Sequence, residues 1–593
     1  MATNRAGRIS LAALAVVLVA AGIVVALLVS VRPPEQPQTE SSGPPDFGPN
    51  VTILDPSMNR ESIQQRVDEI FTAQETSQFG ERRDAVLFKP GSYDVTVNVG
   101  FNTSVLGLGL SPDDVTINGQ VRVDADWFQG NATQNFWRSI ENLAIAPIDG
   151  VNRWAVAQAA PMRRVHVRGA LDLYPSGSGW ASGGYIADSR IDGQVASGSQ
   201  QQWFSRDSEF GSWDGASWNM VFSGVTGAPP QTFPDPPFTV LDSTPAAREK
   251  PFLYVDSDDE YRVFLPGLRR DAAGASWTSG ETAGTSLSID RFFIAEPDDS
   301  AGEINAALDR GLDLFLAPGV YRLDETIRIE RPDTVVLGIG LPTLIPQNGV
   351  DAMTVADVDG VRLAGFLIDA GTENSDALLT VGPDDSDGGH EENPTTVQDV
   401  FFRIGGAQAG RATTSLVVNS DDVIIDHIWA WRADHGEGVG WDTNTADTGV
   451  IVNGANVVAT GLFVEHYQKH QLVWNGENGR TIFFQNEMPY DPPNQEAWRD
   501  GDSDGYAAYK VGDRVTTHEL WGAGSYCFFS VNPSVRAARG FQAPDEPGVR
   551  LHGLLTVSLG GNGSIGNVVN STGATVGSDW TGPSTVSVYP IRQ

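Results

Sequence analysis

Apolar residues along this chain first form an unbroken run, then take a helical spacing, and then settle into short alternating stretches. The run from Ile9 to Val31 follows Arg5 and Arg8 and has no polar face. At helical rise it is long enough to cross a bilayer core of roughly 30 Å. It also exceeds the roughly 7 to 15 apolar residues of an ordinary signal peptide. The expectation is an uncleaved signal anchor over residues 1–32, single-pass in the cell membrane, with everything after Arg32 exported because the two arginines stay inside. Cleavage would leave the same part secreted. Residues 33–50, rich in Pro, Ser and Gly, read as a linker. Next, Ile63, Val67, Ile70 and Phe71 share one helical face. Residues 84–100 then switch to period two, with Val95, Val97 and Val99 alternating with Asp94, Thr96 and Asn98.

The same order recurs downstream. Ile304 and Leu308 mark a second helix, and Leu316-Ala317-Pro318-Gly319-Val320-Tyr321 answers Phe88-Lys89-Pro90-Gly91-Ser92-Tyr93. Val336-Leu337-Gly338-Ile339-Gly340 likewise answers Val105-Leu106-Gly107-Leu108-Gly109. The chain is read as duplicated, with a first domain over 51–290 and a second over 291–593. Short apolar strands such as 361–369, 422–431 and 456–465 are separated by Gly, Asn and Asp turns, with no long helical pattern between them. This grammar fits an all-β fold of parallel β-helices, each begun by a short capping helix, and disfavours a barrel of alternating strands and helices. A pair of antiparallel sandwiches is the rival.

Charge narrows the function. With 39 Lys and Arg against 75 Asp and Glu the net charge is −36, so a phosphate backbone is repelled and no nucleic-acid partner is expected. A single cysteine, Cys527, can form neither an internal disulfide nor a zinc set. Laying 456–466 on 478–488 puts Glu465 and Glu487 at one point of successive coils, 22 residues apart. Neighbouring strands lie roughly 4.8 Å apart, and two carboxylates so close cannot both ionise freely. At least one should therefore carry a raised pKa and serve as an acid. Around them Trp429, Trp431, Tyr467, Trp474, Tyr490 and Trp498 offer flat faces suited to sugar rings or to a core.

Residues 428–435 (IWAWRADH), 464–470 (VEHYQKH) and 484–493 (FQNEMPYDPP) resemble glycoside hydrolase family 55, exo-acting β-1,3-glucanases built from two β-helices packed side by side. Residues 154–165, 182–189 and 198–208 are similar to motifs of the family's first half, in the same order. The resemblance implies two tandem right-handed, pectate-lyase-like solenoids and an inverting hydrolysis of a polysaccharide. It places Glu487 as general acid, Glu465 as a second glutamate supporting the acid or the water, and Gln158, Ser182 and Gln202 as holders of the water. An inverting pair stands roughly 6.5–9.5 Å apart, wider than adjacent backbones, so Glu465 is read as base or as tuner of Glu487.

His466 and His470, four apart, lack the zincin glutamate and are expected to line the pocket. Asp434 and His435 have no nucleophile elbow to serve and are read as sugar-binding or structural, with Trp431 and Tyr490 beside them. The loop at 500–511 starts like a calcium loop but ends in Val511 where a Glu belongs; residues 383–393 read as a solvated insertion. No metal and no cofactor are expected, and the catalytic part is expected to act as a monomer on its polysaccharide. A calcium-dependent polysaccharide lyase on the same fold and a non-catalytic wall-binding protein are the alternatives.

Overall fold

The computed structural model describes residues 45–591 except Ser178 and Glu281. The anchor expected over 1–32 lies outside the described residues; among those described, no helix is long and apolar enough to cross a membrane.

Two stacks of strands dominate. In the first, Val51–Leu54, Asp84–Phe88, Thr103–Gly107, Arg138–Ala146, Met162–Val167, Tyr185–Ala187, Gln202–Arg206, Asn219–Ser223 and Phe238–Leu241 follow one another, every pairing parallel. In the second, a parallel ladder runs from Phe292–Ala295 to Gly548–Ser558 and is closed by the antiparallel Ser584–Tyr589. A further parallel ladder, Ile327–Ile329 to Phe541–Gln542, forms another wall of the same solenoid. These are two tandem parallel β-helices, not sandwiches. Antiparallel strands at 244–288 join them.

The alternation read from sequence is realised: Val95, Val97 and Val99 point into the first core. The helix Arg60–Gln74 buries Ile63, Val67, Ile70 and Gln74, with Phe71 only half-buried. Each helix also satisfies the backbone of an edge strand with one amide side chain. Gln64 accepts from Thr96 N (3.0 Å) and donates to Thr96 O (2.8 Å). On the helix Ala301–Asp309, Asn305 accepts from Arg328 N and donates to Thr326 O, both at 2.9 Å. An edge that would otherwise template another strand is thereby closed. The duplication extends to hydrogen bonding. Tyr93 shares its proton between the carbonyls of Leu54 (3.0 Å) and Lys89 (2.8 Å), and Tyr321 between those of Ala295 and Ala317 at 2.7 Å each.

In the second solenoid one residue per coil drops out of the pairing at a fixed level. Gln398 pairs with Asp426 and Val400 with Ile428; Asp426 pairs with Thr460 and Ile428 with Leu462. The skipped residues, Asp399, His427, Gly461 and Phe483, all have φ between 49 and 68°. Such a bulge turns two consecutive side chains to the same face, so Asp426 and His427 both point at the first solenoid. At Gly461 a Cβ would sit 3.1 Å from the Tyr185 ring of the facing solenoid.

Between the solenoids lies an apolar layer that includes Phe136, Trp137, Tyr185 and Phe204 from one and Phe401, Trp429, Phe463 and Phe483 from the other. Set into it is a buried ionic seam. Arg163 forks onto Asp399 (2.7 and 2.9 Å) and reaches Asp426 (2.8 Å). Arg206 reaches Asp426 (2.9 Å) and Glu249 (2.8 Å), and Lys250 reaches Glu141 (2.7 Å). Burial alone would push the Asp426 carboxyl up; Arg163 and Arg206 overcome this and hold it far below the ordinary carboxylate range. Asp426→Asn would leave two buried guanidinium groups short of a counter-charge. The expected loss is about 3–5 kcal/mol of stability, read as a lower urea midpoint; an unmoved midpoint would show that these ions do not hold the solenoids together.

Candidate active site

Past the bulge, the strands Ile424–Arg432, Val458–Glu465 and Gly479–Glu487 regain their alternation. Trp429, Trp431, Glu465 and Glu487 therefore share the face that carries Asp426. The pairing of Phe463 with Gln485 sets Glu465 level with Glu487, and His466 N donates to Glu487 O at 2.8 Å. The register expected from sequence is the one observed.

Here the two solenoids enclose a cavity of about 230 Å3. Thr133, Gln134, Phe136, Gln158, Ser182 and Gln201 line it from one side, and Trp429, Trp431, Asp434, His435, Glu465, His466, Glu487, Tyr490 and Leu559 from the other. Glu465, only 3% exposed, accepts from Gln158 Nε2 (3.0 Å) on one oxygen and from Trp429 Nε1 (2.8 Å) on the other. Ser182 Oγ in turn donates to Gln158 Oε1 at 3.2 Å. Both contacts are N–H groups donating to Glu465, and such bonds favour its ionised form. Burial still raises its carboxyl above the usual range, opposed by His466, Gln485 and Trp429.

Glu487 stands differently. Its one side-chain hydrogen-bond partner among the described residues is the Tyr490 hydroxyl. It keeps some exposure because it faces the cavity, yet protein surrounds it. Burial, then the Glu465 carboxylate, then Asp434 push its carboxyl well above the ordinary range. The pair thus places its proton on Glu487. Asp434 goes the other way: burial would raise it, but His435 (2.9 Å) and the more distant His466 (3.9 Å) hold it low. The aromatic wall is a stack, with Trp429 and Trp431 centroids 5.0 Å apart at 27° and Phe79 parallel to Trp431 at 6.2 Å.

Several expectations shift. Gln202 is not on the cavity wall: its amide donates to the Ser182 carbonyl from behind, and its neighbour Gln201 faces the cavity. The ring of His470 turns to the Ala507 carbonyl (2.7 Å), away from the cavity. Trp474 faces inward from the strand Leu472–Trp474, and Tyr467 and Trp498 pack into the same second-solenoid core from the turns between strands. The segment at 500–504 is a small hairpin whose Asp504 pairs with Arg499 and Arg536. Among the described residues no cluster of His, Cys, Asp and Glu is placed to hold a metal. The insertion at 383–393 is pinned by His390 between Asp357 (2.9 Å) and Asp359 (2.7 Å). Sequence reasoning missed Gln134, Phe136 and Gln201, and also Gln78, whose side chain reaches His435 at 2.6 Å. Gln201 was adjacent to a named residue; the others carried no pattern of their own.

A buried acid–carboxylate pair beside stacked indoles, in a seam between two pectate-lyase-like solenoids, defines a glycoside hydrolase. Comparison with known proteins agrees. The family model of the LAM55 pectate lyase-like domain matches residues 292–487. An exo-β-1,3-glucanase of Streptomyces sp. (strain SirexAA-E / ActE) is 59% identical over 561 residues, covering 94% of this chain and 92% of that protein. The solved structure of sacteLam55A from Streptomyces sp. SirexAA-E matches at TM-score 0.91 and 59% identity, covering 92% of this chain and all of that one. A glutamate-to-alanine variant of sacteLam55A in complex with glucose matches equally, at TM-score 0.91 and 59% identity over 92% of this chain and 99% of the other. The chain belongs to glycoside hydrolase family 55.

The raised Glu487 carboxyl has a consequence for stability. In acid, folded and unfolded chains both carry the proton. As pH rises past the ordinary carboxyl range the unfolded chain ionises while the folded one resists, so the group's contribution falls with pH until the folded carboxyl itself titrates. Glu487→Gln should therefore gain thermal stability over wild type, by almost nothing in acid and by several degrees at neutral pH. A Tm difference independent of pH would contradict a protonated Glu487.

Proposed function

We propose that this protein is an exo-acting hydrolase of β-1,3-glucan that works with inversion of the anomeric centre. The observation that carries the reading is the unequal pair: Glu465 accepts from Gln158 and Trp429, while burial and the Glu465 carboxylate beside it push the Glu487 carboxyl well above the ordinary range. Glu487 protonates the departing glycosidic oxygen. The attacking water sits toward the wall contributed by the first solenoid, where Ser182 and Gln158 supply a hydroxyl and an amide, and Glu465 orients it and keeps the proton on Glu487. Trp429, Trp431 and Phe136 hold the sugar ring; Asp434, His435, His466 and Tyr490 meet its hydroxyls. The cavity, about 230 Å3, is smaller than the roughly 300–1,000 Å3 of most ligand sites and suits one terminal ring, which favours exo action. The glucanase name of the similar Streptomyces protein and the glucose held by its solved variant support the same substrate. The chain acts outside the cytoplasm, tethered through the apolar run 9–31 or secreted after its removal, with the 33–50 linker between anchor and solenoids.

Sugar release from laminarin tests this. Wild type should liberate glucose whose first-formed anomer by NMR is α, the inverted product. Glu487→Gln should lower kcat by roughly 10²- to 10⁴-fold, the usual worth of a general acid. Equal rates would remove Glu487 from the reaction, and a β anomer would remove inversion.

A further inference from the structure

We propose that Trp180 is a stacking platform at the mouth of this cavity, carrying the part of the glucan that the cavity cannot enclose. The inference rests on the glucanase reading above and extends it beyond the pocket. A cavity of about 230 Å3 holds the end of a polymer and leaves the next rings outside, so whatever grips them must stand at the rim. Trp180 is the most exposed of the large apolar side chains flanking the cavity wall, at 67%. Single exposed apolar residues are common and need no function. Three features set this one apart.

It lies two residues before Ser182, which lines the cavity, with the intervening Ala181 buried and bridged in parallel to Gln200. In an extended segment, residues two apart face the same side, so the Trp180 indole stands on the cavity side of the chain. Its backbone is also fixed from both sides. Ala132 N donates to Trp180 O at 2.8 Å, immediately before the cavity residues Thr133 and Gln134, and Gln201 N donates to Ala181 O at 3.1 Å. Finally, Gly179 packs so closely on Gly130 that a Cβ would lie 1.6 Å from the Gly130 carbonyl oxygen. The indole is thus exposed on a backbone that is itself held in place. A rigid, flat, amphipathic ring held in water beside a sugar pocket has the chemistry to stack on the apolar face of a pyranose ring while leaving its hydroxyls solvated.

The test compares full-length wild type and Trp180→Ala on laminarin and on laminaribiose. An aromatic contact is worth about 0.5–1.5 kcal/mol, so KM for laminarin should rise roughly 3- to 10-fold at unchanged kcat. The disaccharide should be cleaved alike by both proteins, and Trp180→Phe should recover most of the laminarin affinity. Unchanged KM on laminarin, or the same loss on both substrates, would overturn the platform. A wild type that cleaves neither substrate would overturn the glucanase reading itself, and the platform with it. Thermal melting of the exposed-site variants should match wild type, which separates lost affinity from lost folding.

Discussion

One buried carboxylate, Asp426, receives hydrogen bonds from both solenoids: from Arg163, Arg206 and Tyr185 of the first, and from Thr460 on the next coil of its own solenoid at 2.6 Å. Buried ion pairs contribute little net stability once desolvation is counted, but each fixes where its partners must stand. That matters here because neither solenoid alone forms the candidate site. Gln158 and Ser182 belong to one, Glu465 and Glu487 to the other, and a slip of one coil between them would break the bond from Gln158 to Glu465. The seam also reaches the site directly: His427 faces Asp399 at 2.7 Å through Nδ1 and the Gln158 carbonyl at 3.0 Å through Nε2. The residue that presents its amide to Glu465 is thus held by its own backbone to the ionic network.

The cavity and the seam treat carboxylates in opposite ways, for one reason. Asp426 and Asp399 are surrounded by cations, and that attraction outweighs burial, so both stay ionised. Glu487, surrounded by protein but open to the cavity, faces Glu465 and Asp434, and among the described residues no arginine or lysine lines that cavity. Burial and like charge then act in the same direction. A chain of net charge −36 can keep a protonated acid only where cations are withheld and water is thinned, and the inter-solenoid cavity meets both conditions.

Much of this was legible in the sequence. The Pro-Gly-x-Tyr repeat announced a duplicated fold, and the two tyrosines make matching bonds. The offset between Glu465 and Glu487 follows from coil length alone, so it survived into the structure unchanged. The bulge did not announce itself, because a left-handed residue at His427 or Phe483 breaks the two-residue period without any glycine to mark it. With it went the seam, since simple alternation sends Asp426 and His427 to opposite faces. Aromatic content misled in the same way: Trp474 is as aromatic as Trp429, and only the inward or outward phase of a strand decides which of the two lines the cavity.

The doubling itself explains the chemistry. The outer face of a lone parallel β-helix is solvated, and two glutamates on successive coils there would ionise near their ordinary values, relieving their repulsion by turning into water. Laying a second solenoid across that face removes the water and brings Gln158 to bear on a carboxylate already held by Trp429 of its own solenoid, while leaving the neighbouring carboxyl with a tyrosine hydroxyl. The asymmetry that separates an anion from an acid is therefore a property of the interface, and the apolar layer around Phe136, Trp137 and Phe463 that seals it is as much a part of the acid as Glu487 is.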